Sequence, residues 1–298
     1  MSEIFLRHAR LTLSGAGGSI VVNRDAPATP DSRQLAVRFH VERTITSEPN
    51  TADVEVVGLS EKHREALGRE FDSFALEAGY GANAGLIFAG SIRDIRHARD
   101  GASLVTSFQC GDGDAALRRA TLARAFPPGT DVDAVVDALA GALASQGIAQ
   151  GERQTVGQAK PGEYVVCGPV ASELNRLGAS HGFYWSIQNG ALEVINGDDA
   201  LADITHITPS SGLVGVPTFT DRGLELVTTL NPALRPGRRV AVSSRYANLD
   251  RAGYRIARAT FTGDNRDGRF ETKVLAEPAG GNGVDPGRAR RRAGALAG

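Results

Sequence analysis

The sequence predicts a β-rich α+β fold, in which two antiparallel β-barrel or β-sandwich domains flank a small α/β insert. Three observations predict it: alternating strand patterns at both ends of the chain, helical periodicity in the middle, and glycine-containing turns between strands. Glycine accounts for 36 of 298 residues, about 12% against roughly 7% in average proteins. We place the domains at 1–115, 116–205 and 206–278, and we expect a disordered tail over 279–298 that is rich in glycine and arginine.

The first domain is predicted from the alternation of apolar and polar residues. Within 35–43, the apolar residues Leu35, Val37, Phe39 and Val41 recur at every second position, which is the pattern of a half-buried strand. A short helix over 61–70 follows a capping serine at position 60. Other strands are predicted over 4–13, 19–23, 53–57, 74–78, 86–95 and 103–110, with a hairpin turn at 100–101 between the last two.

The insert is predicted from a change to helical periodicity, as a unit of helix, strand, helix and hairpin. A helix beginning at Thr130 or Asp131 and ending near Gly147 carries one apolar stripe. The stripe consists of Val132, Val135, Val136, Leu139 and Leu143. A second helix over 169–179 precedes two strands, 183–187 and 191–195, and the dipeptide Asn189-Gly190 between them is a strong hairpin signal.

Strand patterns return in the second β-domain. They cover 213–219, 224–229, 238–244, 254–261 and 269–276. The last two are expected to form a closing hairpin around 264–268.

Composition excludes several classes of protein. The 33 basic and 34 acidic residues give a net charge of -1, which argues against a dedicated nucleic-acid binder because phosphate binding needs a basic excess. The chain has no signal-peptide pattern and no apolar run of about 18 residues, so we expect neither export nor a membrane anchor. All but three of the basic residues are arginine, and we interpret this bias as codon usage in a GC-rich genome.

Candidate metal and cofactor sites are weak in the sequence. Cys110 and Cys167 match no zinc spacing; we expect two reduced, buried thiols, with a single disulfide as the alternative. The acidic segments 111–114 and 264–268 could be calcium loops, but they lack the spacing of an EF-hand and turn chemistry explains them better. The glycines at 15–18 precede no helix, so they do not form a phosphate cradle. Six scattered histidines show no ligand spacing: His8, His40, His63, His97, His181 and His206.

Candidate catalytic and anion-binding residues are equally weak. Asp198, Asp199 and Asp203 could pair for acid–base chemistry, although a solvated turn is the simpler interpretation. The arginines at 288 and 290–292 could touch nucleic acid or an anionic surface, or could simply keep a tail soluble. No nucleophile motif occurs. We therefore predict no catalytic, cofactor-binding or metal-binding residue and no cofactor.

Several segments together resemble a known family. They are 53–59, 87–92, 111–113, 183–190, 213–218, 230–237 and 254–268. In their order and spacing, over about 1–278, the chain resembles the baseplate hub proteins of tailed bacteriophages and related contractile injection systems. That group includes late control protein D and the front part of the VgrG spike, and tailocins have members too.

The resemblance implies a structural role without enzymatic activity. Two tail-tube-like β-domains per chain would form a homotrimeric, pseudo-sixfold ring that joins the hexameric tail tube protein to a trimeric spike protein. The tape measure protein and other baseplate proteins are further candidate partners; sequence-specific nucleic acid is not expected. The implied location is the virion tail baseplate, after synthesis in the host bacterial cytoplasm. A phage-associated cell-wall hydrolase and a β-rich ligand-binding module are the alternatives.

Overall fold

The computed structural model describes residues 6–24, 34–67, 70–157, 162–197, 199–243 and 254–279. The N-terminal part contains β1 (Arg7–Gly15), β2 (Gly18–Val22), β3 (Ala36–Thr44), β4 (Thr51–Val57), α1 (Glu61–Ala66), β5 (Ser73–Tyr80), β6 (Gly85–Asp100) and β7 (Ser103–Gly111). The middle contains α2 (Asp114–Arg119), β8 (Thr121–Phe126), α3 (Val132–Ala144), β9 (Ala149–Arg153), β10 (Tyr164–Pro169), α4 (Val170–His181), β11 (Phe183–Gln188) and β12 (Ala191–Asn196). The C-terminal part contains β13 (Leu201–Ile207), β14 (Leu213–Thr220), β15 (Gly223–Thr229), β16 (Arg238–Val242), β17 (Tyr254–Asp264) and β18 (Phe270–Pro278).

The two β-rich ends of the chain form one sheet of 13 strands. Its main path runs β14-β15-β18-β17-β3-β4-β7-β6-β5-β1-β2, while β16 pairs with β17 and β13 pairs with β16. The seam between the two ends is the antiparallel pair β17–β3, whose register runs from Arg258 opposite Thr44 to Asp264 opposite Arg38. The predicted β-rich fold is confirmed. The domain boundaries stay a prediction.

Alternation along the strands builds the main core. In β3, Val37, Phe39 and Val41 are buried while Arg38 and His40 are exposed, as the sequence pattern predicts. One apolar cluster draws on both ends of the chain: Phe261 in β17 and Phe108 in β7 belong to the same core. The hydrophobic effect therefore holds the two β-rich segments together across the seam.

The middle of the chain has a core of its own. The predicted stripe of α3 is buried, and the apolar face of α4 packs into the same cluster. Two small sheets complete this insert: the pair β10–β8, and the three strands β11-β12-β9, in which β9 runs parallel to β12.

Several predicted boundaries shift for physical reasons. Helix α1 ends at Ala66, not at 70, because Leu67 and Phe71 leave helical geometry, pair with each other and enter the core. Helix α4 continues to His181, and Gly182 (φ 70°) ends it. The predicted strand ends at 4 and 244, and the tail over 280–298, lie outside the described residues.

Some elements carry no clear sequence signal and were not predicted. They are α2, β8 and β13, together with one of β9 and β10, since a single strand was expected between the two helices of the insert. Strand β9, with the sequence AQGER, has no apolar alternation and depends on its pairing with β12. No helix in the described part of the chain is long and apolar enough to cross a membrane.

Candidate functional site

Three buried arginines mark the junction between the insert and the large sheet. Among the described residues, the largest fully buried side chains are those of Arg43, Arg238 and Arg255, each at most 2% exposed. They lie on strands β3, β16 and β17, and each donates hydrogen bonds to the hairpin β11–β12 or to the loop that follows it. Because a buried guanidinium without hydrogen bonds is costly, the bonds that these three arginines make fix where this hairpin sits. We call residues 183–196 the clamped hairpin.

The first clamp is Arg43. Its Nε and Nη2 atoms donate to Oε1 of Gln188 at 3.1 and 2.8 Å, and Nη1 donates to the carbonyl of Ile87 at 3.0 Å. The Gln188 amide returns a hydrogen bond to the carbonyl of Thr44 at 2.6 Å. Burial lowers the pKa of Arg43 to about 10, with a smaller lowering by Arg235, so the guanidinium keeps its charge at neutral pH.

The tip of the hairpin is held by Asp112. Its carboxylate accepts the backbone N–H groups of Asn189 and Gly190 at 2.5 and 2.8 Å. Those two turn residues have φ values of 53° and 77°, which suits a two-residue hairpin turn. Burial raises the pKa of Asp112 to about 6, although the bonds from Gly190 and Asn189 and the charge of Arg43 oppose the shift.

Two asparagines complete the contact. Asn50 donates from Nδ2 to the carbonyl of Ile187 at 2.8 Å, while its Oδ1 accepts the N–H of Thr44 at 2.9 Å. Asn189 accepts the N–H of Ala89, in β6, at 3.0 Å. The hairpin thereby covers the first half of β6 along an edge that would otherwise be open.

The second and third clamps hold β12 and its loop. Arg238 donates to Glu193 and Glu152 at 2.6 Å each, and Glu193 is itself buried. Burial lowers the pKa of Arg238, but the hydrogen bond and the charge of Glu193 outweigh burial and leave this pKa above its usual value. Arg255 donates from Nη1 to three carbonyls, of Asn196, Gly197 and Asp199, and stacks over the ring of Tyr184 at 4.9 Å.

The residues singled out in the sequence as possible sites do not come together. Asp112 binds the hairpin turn, and Asp114 pairs with Arg93. Asp264 accepts the backbone N–H groups of 266 and 267, as a turn residue does. Both cysteines are free thiols, and Cys110 is buried as expected. The expectation of a buried thiol is wrong for Cys167, which is exposed because it follows buried Val166 in β10 and so lies on the opposite face of that strand.

The carboxylates expected near the hairpin also have separate roles. Asp199 pairs with Arg239 at 3.0 Å, whereas the side chain of Asp203 is 73% exposed. Asp198 and the arginines at 288 and 290–292 lie outside the described residues. Among the residues that the structure describes, no group of three or more His, Cys, Asp or Glu side chains could hold a metal ion.

The arginine clamps are the feature that sequence reasoning missed. Arg43 continues the buried phase of β3 after Val41, and Arg238 shares the buried phase of β16 with Val240 and Val242. An arginine in the apolar phase of a strand was therefore the available signal. Interpreting the arginine bias as codon usage alone hides this signal.

The large sheet also presents a charged outer face. Ion pairs across neighbouring strands cover it, including Arg258–Glu42 at 2.7 Å, Arg38–Asp264 at 3.1 Å and Lys273–Glu225 at 3.1 Å. Since strand residues alternate between faces, this charged face lies opposite the apolar core.

Comparisons with known proteins agree on a phage-tail fold. The model of a family described as baseplate hub gp41 matches residues 22–276. No protein with a curated description matches the sequence.

Solved structures with this fold include two tail proteins. The prophage MuSo2 43 kDa tail protein from Shewanella oneidensis has a TM-score of 0.61 at 11% identity, over 91% of this chain and 97% of that one. The tail protein from Neisseria meningitidis MC58 has a TM-score of 0.58 at 12% identity, over 90% and 96%.

A secretion-system protein has the fold too. The Escherichia coli c3393 protein has a TM-score of 0.59 at 14% identity, over 84% of this chain and 75% of that one. It is described as a component of the type VI secretion system with structural similarity to the T4 tail proteins gp27 and gp5. At such identities these likenesses show the fold.

Proposed function

The chain belongs to the baseplate hub gp41 family of phage tail proteins, and from this premise we propose that it forms a homotrimeric, pseudo-sixfold ring. The ring would join the hexameric tail tube protein on one side to a trimeric spike protein on the other. Its location would be the tail baseplate of the virion, after synthesis in the host bacterial cytoplasm. The family supports a structural role in that baseplate; the trimer, the two partners and their two faces are our proposal.

The observation that best supports a ring is the single large sheet. Two β-rich segments of one chain are joined edge to edge at the β17–β3 seam, so each copy would contribute two segments and three copies would contribute six. We assign one segment to 1–115 and the other to 206–278, with 116–205 as the insert. The charged outer face of the sheet suits a water-filled channel, because polar surfaces keep their hydration there.

The clamped hairpin gives the insert a fixed position in such a ring. Rigid placement matters for a protein whose partners sit on two faces, since each docking surface must keep its geometry. The three arginine clamps provide this rigid placement, because their directional hydrogen bonds form in only one arrangement of the hairpin. We propose that one of the two partners docks against the insert.

Two observations favour this structural role over the alternatives. Asp112 accepts two backbone N–H groups, and Glu193 accepts a hydrogen bond from Arg238. Both buried carboxylates are therefore poorly placed for acid–base catalysis. Trp185 is buried and donates its indole N–H to Asn175 at 3.0 Å, so it offers no exposed platform for a sugar. We propose that the chain is not an enzyme and needs no cofactor.

Solution mass and partner binding test the proposal. We expect the chain, measured by native mass spectrometry from micromolar to millimolar concentration, to form a trimer that binds a tube protein and a spike protein of the same phage tail. A chain that stays monomeric over this range, even with both partners present, would rule the ring out. Clearing of a cell-wall gel that is lost on substituting one acidic residue would favour the hydrolase instead.

A further inference from the structure

A groove lies at the junction between the insert and the large sheet. Its volume is about 880 Å³, which is within the size range of ligand sites. Both parts of the molecule line it: Glu152 and Glu193 belong to the insert, whereas Asp203, Ile204 and Arg238 belong to strands of the large sheet. We call this cavity the junction groove.

The accessible charges of the junction groove are acidic. Asp203 is 73% exposed and Glu152 is 50% exposed, and they lie 3.9 and 2.6 Å from the buried guanidinium of Arg238. The other arginine of the lining, Arg235, shares Glu193 with Arg238. The lining therefore has one more carboxylate than guanidinium groups, and its two exposed carboxylates favour a basic ligand.

One buried donor in the junction groove lacks an acceptor. Nε of Arg238 has no hydrogen-bond partner in the described part of the chain. It faces Asp203, but at 3.9 Å this contact is too long for a hydrogen bond. Because a buried donor without an acceptor is costly, the groove suits a ligand that brings an acceptor such as a peptide carbonyl. An extended peptide with basic side chains meets both requirements.

The rim of the junction groove adds apolar surface, and the C-terminal segment of the chain has matching chemistry. Ile204 and Leu86 are 52% and 39% exposed, so they favour a peptide that carries apolar residues beside its basic ones. Segment 288–296 has both kinds of residue, because four arginines, at 288 and 290–292, precede Ala293 and Leu296. It lies outside the described residues.

The junction groove is within reach of this segment. Strand β18 ends at Pro278, which is opposite Tyr254 of β17. Tyr254 is opposite Val240 of β16, and Val240 is opposite Thr205, which lines the groove. Because neighbouring strands are about 4.8 Å apart, Thr205 lies roughly 15 Å from the end of β18. Residues 279–287 span up to about 30 Å when extended.

We propose that residues 288–296 bind in the junction groove of the same copy. The arginines pair with Asp203 and Glu152, a backbone carbonyl accepts the Nε–H of Arg238, and Leu296 packs against Ile204. Since the insert and the large sheet both line the groove, the bound segment straps them together beside the second clamp. The contact is made within one copy, so this inference does not depend on the proposed ring.

Disulfide trapping tests where the segment lies. The background carries Cys167→Ser, which removes the exposed thiol, while Cys110 is buried. Ala293→Cys is combined with Ile204→Cys, or with Val214→Cys as the matched control. Val214 is 48% exposed on β14, two strands from β18, so an unbound segment would reach it as readily. We expect an intramolecular disulfide to form about tenfold faster with Ile204→Cys, because binding raises the effective concentration of the two thiols.

Charge substitutions test the recognition. Added to the Ile204→Cys and Ala293→Cys pair, Asp203→Asn should slow formation of the disulfide about fivefold, as the loss of one of the stronger exposed ion pairs would. The matched control is Asp53→Asn, which also removes an exposed carboxylate, but from the outer face of the large sheet. We expect the control to leave the rate unchanged. Circular dichroism of both variants would confirm that they fold.

The outcomes separate the inference from the proposed function. Equal rates at Ile204 and Val214, or equal effects of Asp203→Asn and Asp53→Asn, would overturn the junction groove as the binding site. Disulfide-linked dimers in place of an intramolecular bond would overturn the assignment to the same copy. Fast intramolecular trapping at Ile204 in a chain that stays monomeric would support this inference while the ring fails.

Discussion

The molecule is held together at two junctions that work by different means. At the β17–β3 seam, the two ends of the chain meet through a regular antiparallel ladder with Val41 opposite Phe261, both completely buried. At the junction with the insert, the contacts are buried polar groups: Arg43 with Gln188, and Arg238 with Glu193. An apolar seam gains stability from burial and tolerates small shifts. A buried polar junction allows one arrangement and is costly to break.

The largest effect is expected from breaking the buried ion pair at the insert junction. Arg238→Ala removes the 2.6 Å partner of buried Glu193 and leaves it only the longer contact of 3.4 Å with Arg235, which should lower the free energy of unfolding by about 3 kcal/mol. Chemical denaturation measures this. The matched control is Arg239→Ala, whose side chain is 36% exposed and pairs with Asp199; its effect should stay below about 1 kcal/mol. Equal losses in both variants would contradict the special role of the clamp.

A smaller effect is expected from a truncation at the apolar seam. Val41→Ala removes two buried methyl groups opposite Phe261, which should cost about 2 kcal/mol by lost burial and a small cavity. Thr260→Ala on the outward face of the neighbouring strand serves as the control, with a change of about 0.5 kcal/mol or less. If the control cost as much as Val41→Ala, the seam would not owe its stability to burial.

The smallest and most specific effect concerns pH at the hairpin tip. Burial raises the pKa of Asp112 from an ordinary 3.8 to about 6. Between those values the folded state binds more protons than the unfolded state, so the contribution of Asp112 to stability is fully present below about pH 4 and lost as pH rises through about 6. Asp112→Asn does not titrate. We therefore expect the unfolding free energy of the wild type, relative to that of this variant, to be higher at pH 4 than at pH 7.

Thermal unfolding of both proteins across this pH range gives the measurement. Asp112→Asn also turns an amide N–H towards the backbone N–H groups of Asn189 and Gly190, so it should be less stable than the wild type at all pH values. The opposite slope would mean that these two hydrogen bonds outweigh burial in setting the pKa.

The contrast between the junctions explains what the sequence could and could not predict. Strand β3 and helix α3 were predicted because alternation and the 3.6-residue stripe are local patterns. The hairpin at Asn189 and Gly190 was predicted for the same reason. The partners of the clamps could not be predicted, because they lie far away in the chain: Arg43 and Gln188 are separated by 145 positions, and Arg238 and Glu193 by 45.

The seam was missed for a similar reason. Nothing local in β3 or β17 indicates that the two strands pair across more than two hundred residues. Short elements such as β9 depend on their neighbours for their structure, which is why tertiary context decides them.

Imaging of the assembled protein tests the central claim most directly. The chain, mixed with the proposed tube and spike partners and viewed by electron microscopy, should form a ring with threefold symmetry and an open central channel. The charged face of the large sheet, which lies opposite the apolar core and carries Arg38, Glu42 and Lys273, should line that channel. Particles without a channel, or with a symmetry other than threefold, would contradict the account.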